Sequence, residues 1–360
     1  MRSFRKLFSL FWVLLFFSCT LYACSPIQAE DKAVKTIRIG VSVYRKDDTF
    51  INSLCEDLEA VAKQKELQTG DKIVLNILDS QSSQSIQNDQ VESFLSKNYN
   101  AVCVNMVDRT AAGAIVDKAK KAGIPLIFFN REPVEEDIRI WEKAYYVGAD
   151  AAQSGKLQGE IVVKAYQKTP RSIDRNGDGK IQYVMLEGEQ GHQDSLLRTE
   201  YSIKAIEDAG IKTEKIANDT ANWQRAQATA KMMQWIEKYG TRIEVVLCNN
   251  DDMALGAIDA LQDSNLKTNR PVVIGIDGTS PGLSAINNGT MFGSVYNDAK
   301  KQAEAIFDLS YNPNEIPKPF QLLRGHYIYV PYQTITKENS ENFGLKAAMC
   351  AGMPKIICDR

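Results

Sequence analysis

From residue 36 onward, short apolar runs rich in β-branched residues alternate with amphipathic helical stretches, and the pattern restarts once, after about Gly148. The first half places strands at 37–43, 73–78, 101–106, 126–129 and 145–147, with helices at 50–68, 84–98, 111–122 and 150–166 between them. The second half places strands at 182–186, 245–248, 272–276 and 293–296, with helices at 196–209, 223–239, 254–264 and 298–309. Strands that are apolar along their whole length are buried on both faces, and helices between them make the sheet parallel. Nine such strands are too many for one modest sheet, so the alternation predicts two similar doubly wound α/β domains. At 360 residues and 44% hydrophobic content, the chain is long enough for two separate cores.

In sheets of this kind ligands lie beyond the carboxyl ends of the strands, so the residues that follow each strand matter most. They are polar almost throughout: Asp47, Asp48 and Phe50; Asp108 and Arg109; Asn130, Arg131 and Glu132; Asn249, Asn250 and Asp251; Asp277; Asn297 and Asp298. Asp219-Thr220-Ala221-Asn222-Trp223 adds an aromatic at a helix start. Asn and Asp also cap helices and make turns, which accounts for some of these positions without any ligand. Their recurrence in both halves predicts a wet crevice, with Phe50 and Trp223 as flat apolar faces from opposite sides. A pyranose carries C–H groups on its faces and hydroxyls on its rim, and suits such a crevice.

The loop Gly188-Glu189-Gln190-Gly191-His192-Gln193-Asp194-Ser195, with Arg198 one turn later, concentrates these features. Asp194 and Arg198 are four apart and face the same way on a helix. One account is a helix cap with an i,i+4 ion pair; the other is a set of directed donors and acceptors for hydroxyl groups. A second constellation, Asp174-Arg175-Asn176-Gly177-Asp178-Gly179-Lys180-Ile181-Gln182, matches an EF-hand calcium loop. It supplies Asp174, Asn176, Asp178 and Gln182 as side-chain ligands and Lys180 through its carbonyl. Met185 stands where the bidentate Glu is expected, so a calcium site needs a carboxylate from elsewhere in the fold.

The amino terminus reads as a leader. Arg2, Arg5 and Lys6 precede an apolar core at 7–17, followed by Leu21-Tyr22-Ala23-Cys24, a lipobox of the looser kind familiar in spirochaetes. The expected processing removes 1–23, attaches lipid to Cys24 and leaves 24–35 as a tether; plain secretion is the alternative, and the apolar core is short for an uncleaved membrane span. Cys55, Cys103 and Cys248 read as small core residues, while Cys350 and Cys358 are placed to pair in an oxidising compartment. A net charge of −2 without any basic block excludes a nucleic-acid partner, and two histidines exclude multi-histidine metal chemistry.

Several stretches in order resemble the galactose/glucose-binding periplasmic protein family of sugar importers. They are Tyr44-Arg45-Lys46-Asp47-Asp48-Thr49-Phe50, Phe128-Phe129-Asn130-Arg131-Glu132-Pro133, Ala144-Tyr145-Tyr146-Val147-Gly148, the His192 loop, Asp219 to Trp223, Asn249-Asn250-Asp251, Gly275-Ile276-Asp277 and Tyr296-Asn297-Asp298. The resemblance covers Thr36 to about Asn342 and implies the type I periplasmic-binding-protein fold with a three-strand hinge near 147–150, 298 and 325–327. It implies one lobe from 36–148 plus 299–325, a second with the calcium site from 149–298 plus 326–342, and a tail at 343–360. Phe50 and Trp223 would stack on the sugar. Asp48, Asn130, His192, Asp194, Arg198, Asn250, Asp277 and Asn297 would hold its hydroxyls, and Glu244 would supply the missing calcium carboxylate. The implied protein is a monomeric, non-catalytic receptor that delivers glucose or galactose to an ABC-type permease, or informs a chemoreceptor.

Other classes fit less well. Gly278-Thr279-Ser280-Pro281-Gly282 has the G-x-S-x-G pattern of a hydrolase, with Asp298 or Asp308 and His326 following in order. Its oxyanion hole needs the N–H of the residue after the nucleophile, and Pro281 has none. A sugar-responsive transcription regulator would carry a DNA-binding module where this sequence carries the leader.

Overall fold

The computed structural model describes residues 34–266, 270–316 and 318–343. Two six-stranded sheets carry the chain from Thr36 onward. β1 (Thr36–Val43), β2 (Lys72–Asp79), β3 (Ala101–Val104), β4 (Leu126–Phe129) and β5 (Ala144–Gly148) build the first, joined at its edge by β11 (Tyr327–Tyr329). β6 (Lys180–Glu187), β7 (Lys212–Thr220), β8 (Val245–Cys248), β9 (Val272–Ile274) and β10 (Gly293–Tyr296) build the second, joined by β12 (Gln333–Thr336). The orders β11-β5-β4-β3-β1-β2 and β12-β10-β9-β8-β6-β7 are the same topology, and all pairs are parallel except β12 against β10. Each is the doubly wound order in which the crevice opens beside the first strand.

The strand composition explains the layering. Val102, Val104, Leu126 and Phe128 feed one face of the first sheet, while Cys103, Ile127 and Phe129 feed the other; all are fully buried. Val184 and Leu186 point into one core of the second sheet, and Tyr183 and Met185 into the other. Helices close both faces: α1 (Thr49–Thr69), α2 (Gln84–Ser96), α3 (Ala112–Ala122) and α4 (Glu135–Ile138) in the first half, then α5 (Ala151–Lys168), α6 (Gln193–Asp208), α7 (Arg225–Tyr239), α8 (Asp251–Gln262), α9 (Ser280–Asn287) and α10 (Ala299–Tyr311). The last of these returns to the first lobe, where Ala303, Ile306 and Phe307 pack beneath β1 and β3.

The chain crosses between lobes three times. Two crossings fall where the sequence places them, between β5 and α5 and between β10 and α10. The third does not fall at 325–327. Arg324 and Gly325 have left-handed backbones (φ 51° and 78°) and turn the chain back within the first lobe, so Tyr327–Tyr329 pairs with Tyr146–Gly148. The crossing is Val330-Pro331-Tyr332, and residues 326–329 belong to the first lobe rather than the second.

The leader, Cys24, most of the tether, Cys350, Cys358 and most of the tail lie outside the described residues. Cys55, Cys103 and Cys248 are buried free thiols, as their settings predict. No helix among the described residues is long and apolar enough to cross a membrane.

Candidate functional site

The strand ends of both lobes converge on a cleft of about 330 Å³ lined by Tyr44, Asp48, Phe50, Ile51, Asn130, Arg131, His192, Asp194, Arg198, Trp223, Asn250 and Asp277. Nine of the ten residues singled out from the sequence are in this wall. Asn297 is the exception. It is buried behind Asp277, hydrogen-bonded to that carboxylate, and accepts a 2.6 Å bond from Gln302 Nε2. Its place in the wall is thus taken by the carboxylate it orients. Tyr44, Ile51 and Arg131 are wall residues outside those ten, although Arg131 is among the polar residues that follow a strand and Tyr44 follows β1 closely.

Capping and ligand-facing roles, which competed at the sequence level, coexist in the same side chains. Asp48 caps α1, its Oδ1 accepting from Ile51 N at 3.0 Å, while Tyr44 Oη donates to its Oδ2 at 2.6 Å. Asn250 caps α8 through Oδ1 (Met253 N, 2.9 Å), and its Nδ2 donates to the Trp223 carbonyl at 3.3 Å. His192 caps α6: Nδ1 accepts from Asp194 N at 3.1 Å, so Nδ1 is the unprotonated nitrogen and Nε2 carries the hydrogen. Burial first, then the positive charges of Arg131, Arg198 and Arg109, push this imidazole well below its ordinary value, so it is a neutral donor at Nε2.

Arg198 organises the second lobe's wall. Its guanidinium donates to the Asn249 carbonyl at 2.7 Å, to Asp194 Oδ2 at 3.0 Å and to Tyr332 Oη at 3.0 Å, and lies 3.7 Å from Asp277 Oδ1. Burial opposes its charge, but Tyr332, Asp194 and Asp277 more than offset that and raise its pKa. One guanidinium thus serves two carboxylates. Burial raises both Asp194 and Asp277, against the lowering effect of Arg198, because neither has a full counter-charge. Arg131 and Arg198 also keep a buried Nε without a protein hydrogen-bond partner. Buried groups of both kinds, acceptor-rich carboxylates and spare N–H donors, are satisfied together by hydroxyls, which donate and accept at once.

The aromatic plates are held by the backbone. Asn222 and Trp223 both have positive φ (50° and 63°), an unfavourable conformation that the surroundings impose. A Cβ on Gly188 would lie 2.1 Å from the Trp223 ring, so only glycine lets the indole pack against that loop. The His192 ring meets Trp223 edge-on, with centroids 5.1 Å apart. Phe50 faces the cleft from the opposite lobe.

The calcium-loop residues gather apart from the cleft. Glu244 accepts from the backbone N–H groups of Arg175 (2.7 Å), Asn176 (3.2 Å) and Gln182 (3.1 Å), which brings it into the loop. Asp178 accepts from Gln182 Nε2 at 2.8 Å, and Asn176 donates to Gln182 Oε1 at 3.0 Å. Asp174 accepts from Gly179 N at 3.0 Å. Among the described residues no three His, Cys, Asp or Glu side chains form a metal-type cluster. Ser280, by contrast, begins α9 exposed to solvent with Pro281 behind it, while His326 bonds the Ala144 carbonyl in the other lobe. The hydrolase residues are not assembled.

The model of the periplasmic binding protein domain matches residues 39–312. The D-galactose/methyl-galactoside binding periplasmic protein MglB of Haemophilus influenzae is 38% identical over 311 residues, 85% of this chain and 91% of that protein. A putative rhizopine-binding protein of Rhizobium meliloti is 32% identical over 85% of the chain and 92% of its own length. A Bacillus halodurans ABC transporter solute binding protein, solved with bound myo-inositol, superposes with a TM-score of 0.71 at 30% identity, covering 88% of this chain and 99% of that one. These relatives are binding proteins, not enzymes. With the paired sheets and the cleft between them, they place the chain in the periplasmic binding protein family, to which it belongs.

Proposed function

We propose that this protein is a non-catalytic receptor that captures an aldohexose, glucose or galactose, between its lobes and delivers it to an ABC-type sugar permease. The observation that carries the reading is the Arg198 guanidinium set between two buried carboxylates, in a wall flanked by Phe50 and Trp223. A neutral, many-hydroxyl ring suits that wall: its O–H groups would donate to Asp48, Asp194 and Asp277, and its oxygens accept from Asn130, His192 and Asn250. The likeness to the galactoside-binding protein supports the hexose, while the rhizopine and inositol relatives mark cyclic polyols as the neighbouring class. Sugar bridging both lobes favours the closed form, which the permease reads; a chemoreceptor would read the same closed surface. Calorimetry with glucose, galactose and myo-inositol tests the assignment. Heat is expected with at least one aldohexose and weaker heat with the cyclitol; no heat with either aldohexose sinks it.

A metal ion and a lipid complete the proposed receptor. Asp174, Asn176, Asp178, Gln182 and Glu244, gathered by hydrogen bonds within the loop, would with the Lys180 carbonyl offer oxygen ligands to a calcium ion bracing the strand that leads to the His192 loop. Chelation is expected to lower the thermal midpoint by about 5–10 °C, the stabilisation that ligand at ~100-fold its dissociation constant gives a lobe of this size. Identical melting with and without chelator would count against the ion. Cys24 is the proposed lipid attachment site, which tethers the receptor at a membrane; mass spectrometry of the mature amino terminus decides between lipid and none.

A further inference from the structure

We propose that Arg131 is a positioning residue that couples sugar occupancy to lobe closure, acting through Glu189 of the opposite lobe. Among the described residues, three pairs bridge the lobes at the cleft rim: Thr49 Oγ1 to Asp252 Oδ2 (2.6 Å), Arg109 to Gln193 Oε1 (2.8 Å) and Arg131 to Glu189 Oε2 (2.6 Å). The loops that hold the ligand thus also hold the opposite lobe. The Arg131 pair differs from the other two because Arg131 itself lines the cleft.

The guanidinium is fixed to the first lobe before it reaches across. It lies 3.7 Å from the centre of the Tyr44 ring, and it donates to the Val107 carbonyl at 2.9 Å. Tyr44 in turn holds Asp48 through its hydroxyl. The side chain of Arg131 is 6% exposed against 44% for Glu189, so the cation is preorganised and the carboxylate comes to it. On the other side, the Glu189 carbonyl accepts from His192 N at 3.2 Å, closing the turn that presents the imidazole. A continuous set of contacts thus runs from Asp48 through Tyr44, Arg131 and Glu189 to His192, joining sugar-facing groups of both lobes. Only the closed form makes the Arg131–Glu189 bond, so removing it shrinks the closed fraction and weakens every bound ligand by the same factor. Lysine would keep the charge but would lose the planar fork that stacks and donates in two directions.

This coupling rests on the hexose reading, and wild-type titration separates the two: a wild type that binds neither aldohexose overturns the reading of the ligand. Given a binding wild type, Glu189→Gln and Arg131→Met are each expected to raise the dissociation constant roughly two- to fivefold, the range for a pair with one exposed partner. The loss should lie in faster dissociation with unchanged association, be equal for glucose and galactose, and be intermediate in Arg131→Lys. The double variant should be no weaker than the worse single one. Additive losses, or an unchanged dissociation rate in Glu189→Gln, would overturn the coupling. Because Glu189 lies at the exposed end of the pair, its variant tests the coupling even if Arg131→Met folds poorly.

Discussion

A Trp223→Ala variant loses affinity for its hexose by about a hundredfold while the other lobe's wall stays intact. The indole lies in the cleft wall and is 7% exposed, so it offers one broad face to a ligand without moving. Losing such a face costs roughly 2–3 kcal/mol of apolar contact, which is about 30- to 150-fold in affinity. The edge-on contact with His192 goes too, so the imidazole donor loses a neighbour that restrains its ring. Trp223 also belongs to the second lobe's core, and its removal destabilises that lobe. Circular dichroism and melting of the variant are therefore measured beside calorimetry, and Trp223→Phe keeps a plate while shortening it. Gly188→Ala supplies an independent route to the same result, because its Cβ would displace the indole without deleting it. Wild-type affinity in a folded Trp223→Ala protein would refute the assigned cleft.

The doubly wound architecture is legible because parallel strands buried on both faces must be apolar throughout, as 101–104, 126–129 and 245–248 are. One strand that escapes notice, β7, lacks that burial. β7 (Lys-Thr-Glu-Lys-Ile-Ala-Asn-Asp-Thr) is an edge strand paired only with β6, and none of its residues is fully buried. β11 and β12 are three- and four-residue strands whose pairing is a matter of chain return rather than pattern. The third crossing, which the resemblance places near 325–327, falls later because Gly325 makes a turn inside the first lobe and the short strand after it pairs there. Most of the cleft is legible because polar residues after buried strands must face the crevice. Whether such a residue faces the ligand or stands behind one that does is not written in spacing, and Asn297 is the case in point. Arg131 is read from the sequence only as one of the polar residues after β4, because its stack on Tyr44 and its partner across the cleft are not written in spacing.

Arg198→Met is expected to abolish hexose binding and to destabilise the second lobe by roughly 3–5 kcal/mol at neutral pH, the cost of breaking a buried ion pair by removing one partner. Methionine fills much of the volume, so the loss is electrostatic: Asp194 and Asp277 remain buried, and the Asn249 carbonyl and Tyr332 hydroxyl lose a donor. The pH dependence identifies this cause. Burial already holds both carboxyls above their ordinary values, and without Arg198 they rise further. The folded variant then keeps protons that the unfolded chain has released, so its stability falls as pH rises. That stability is fully present below the unfolded carboxyl value of about 4 and is lost as pH climbs through the raised folded values. The melting deficit relative to wild type should therefore shrink steadily on acidification from about pH 8 toward about pH 5. A deficit that is the same at every pH would assign the cost to packing instead. Because Tyr332 sits in the third crossing, the guanidinium that neutralises the cleft also ties it to a segment linking the lobes. Loss of Arg198 should thus loosen closure as well as the sugar contacts, and Arg198→Lys, which keeps a charge but not the fork, should recover stability before it recovers binding.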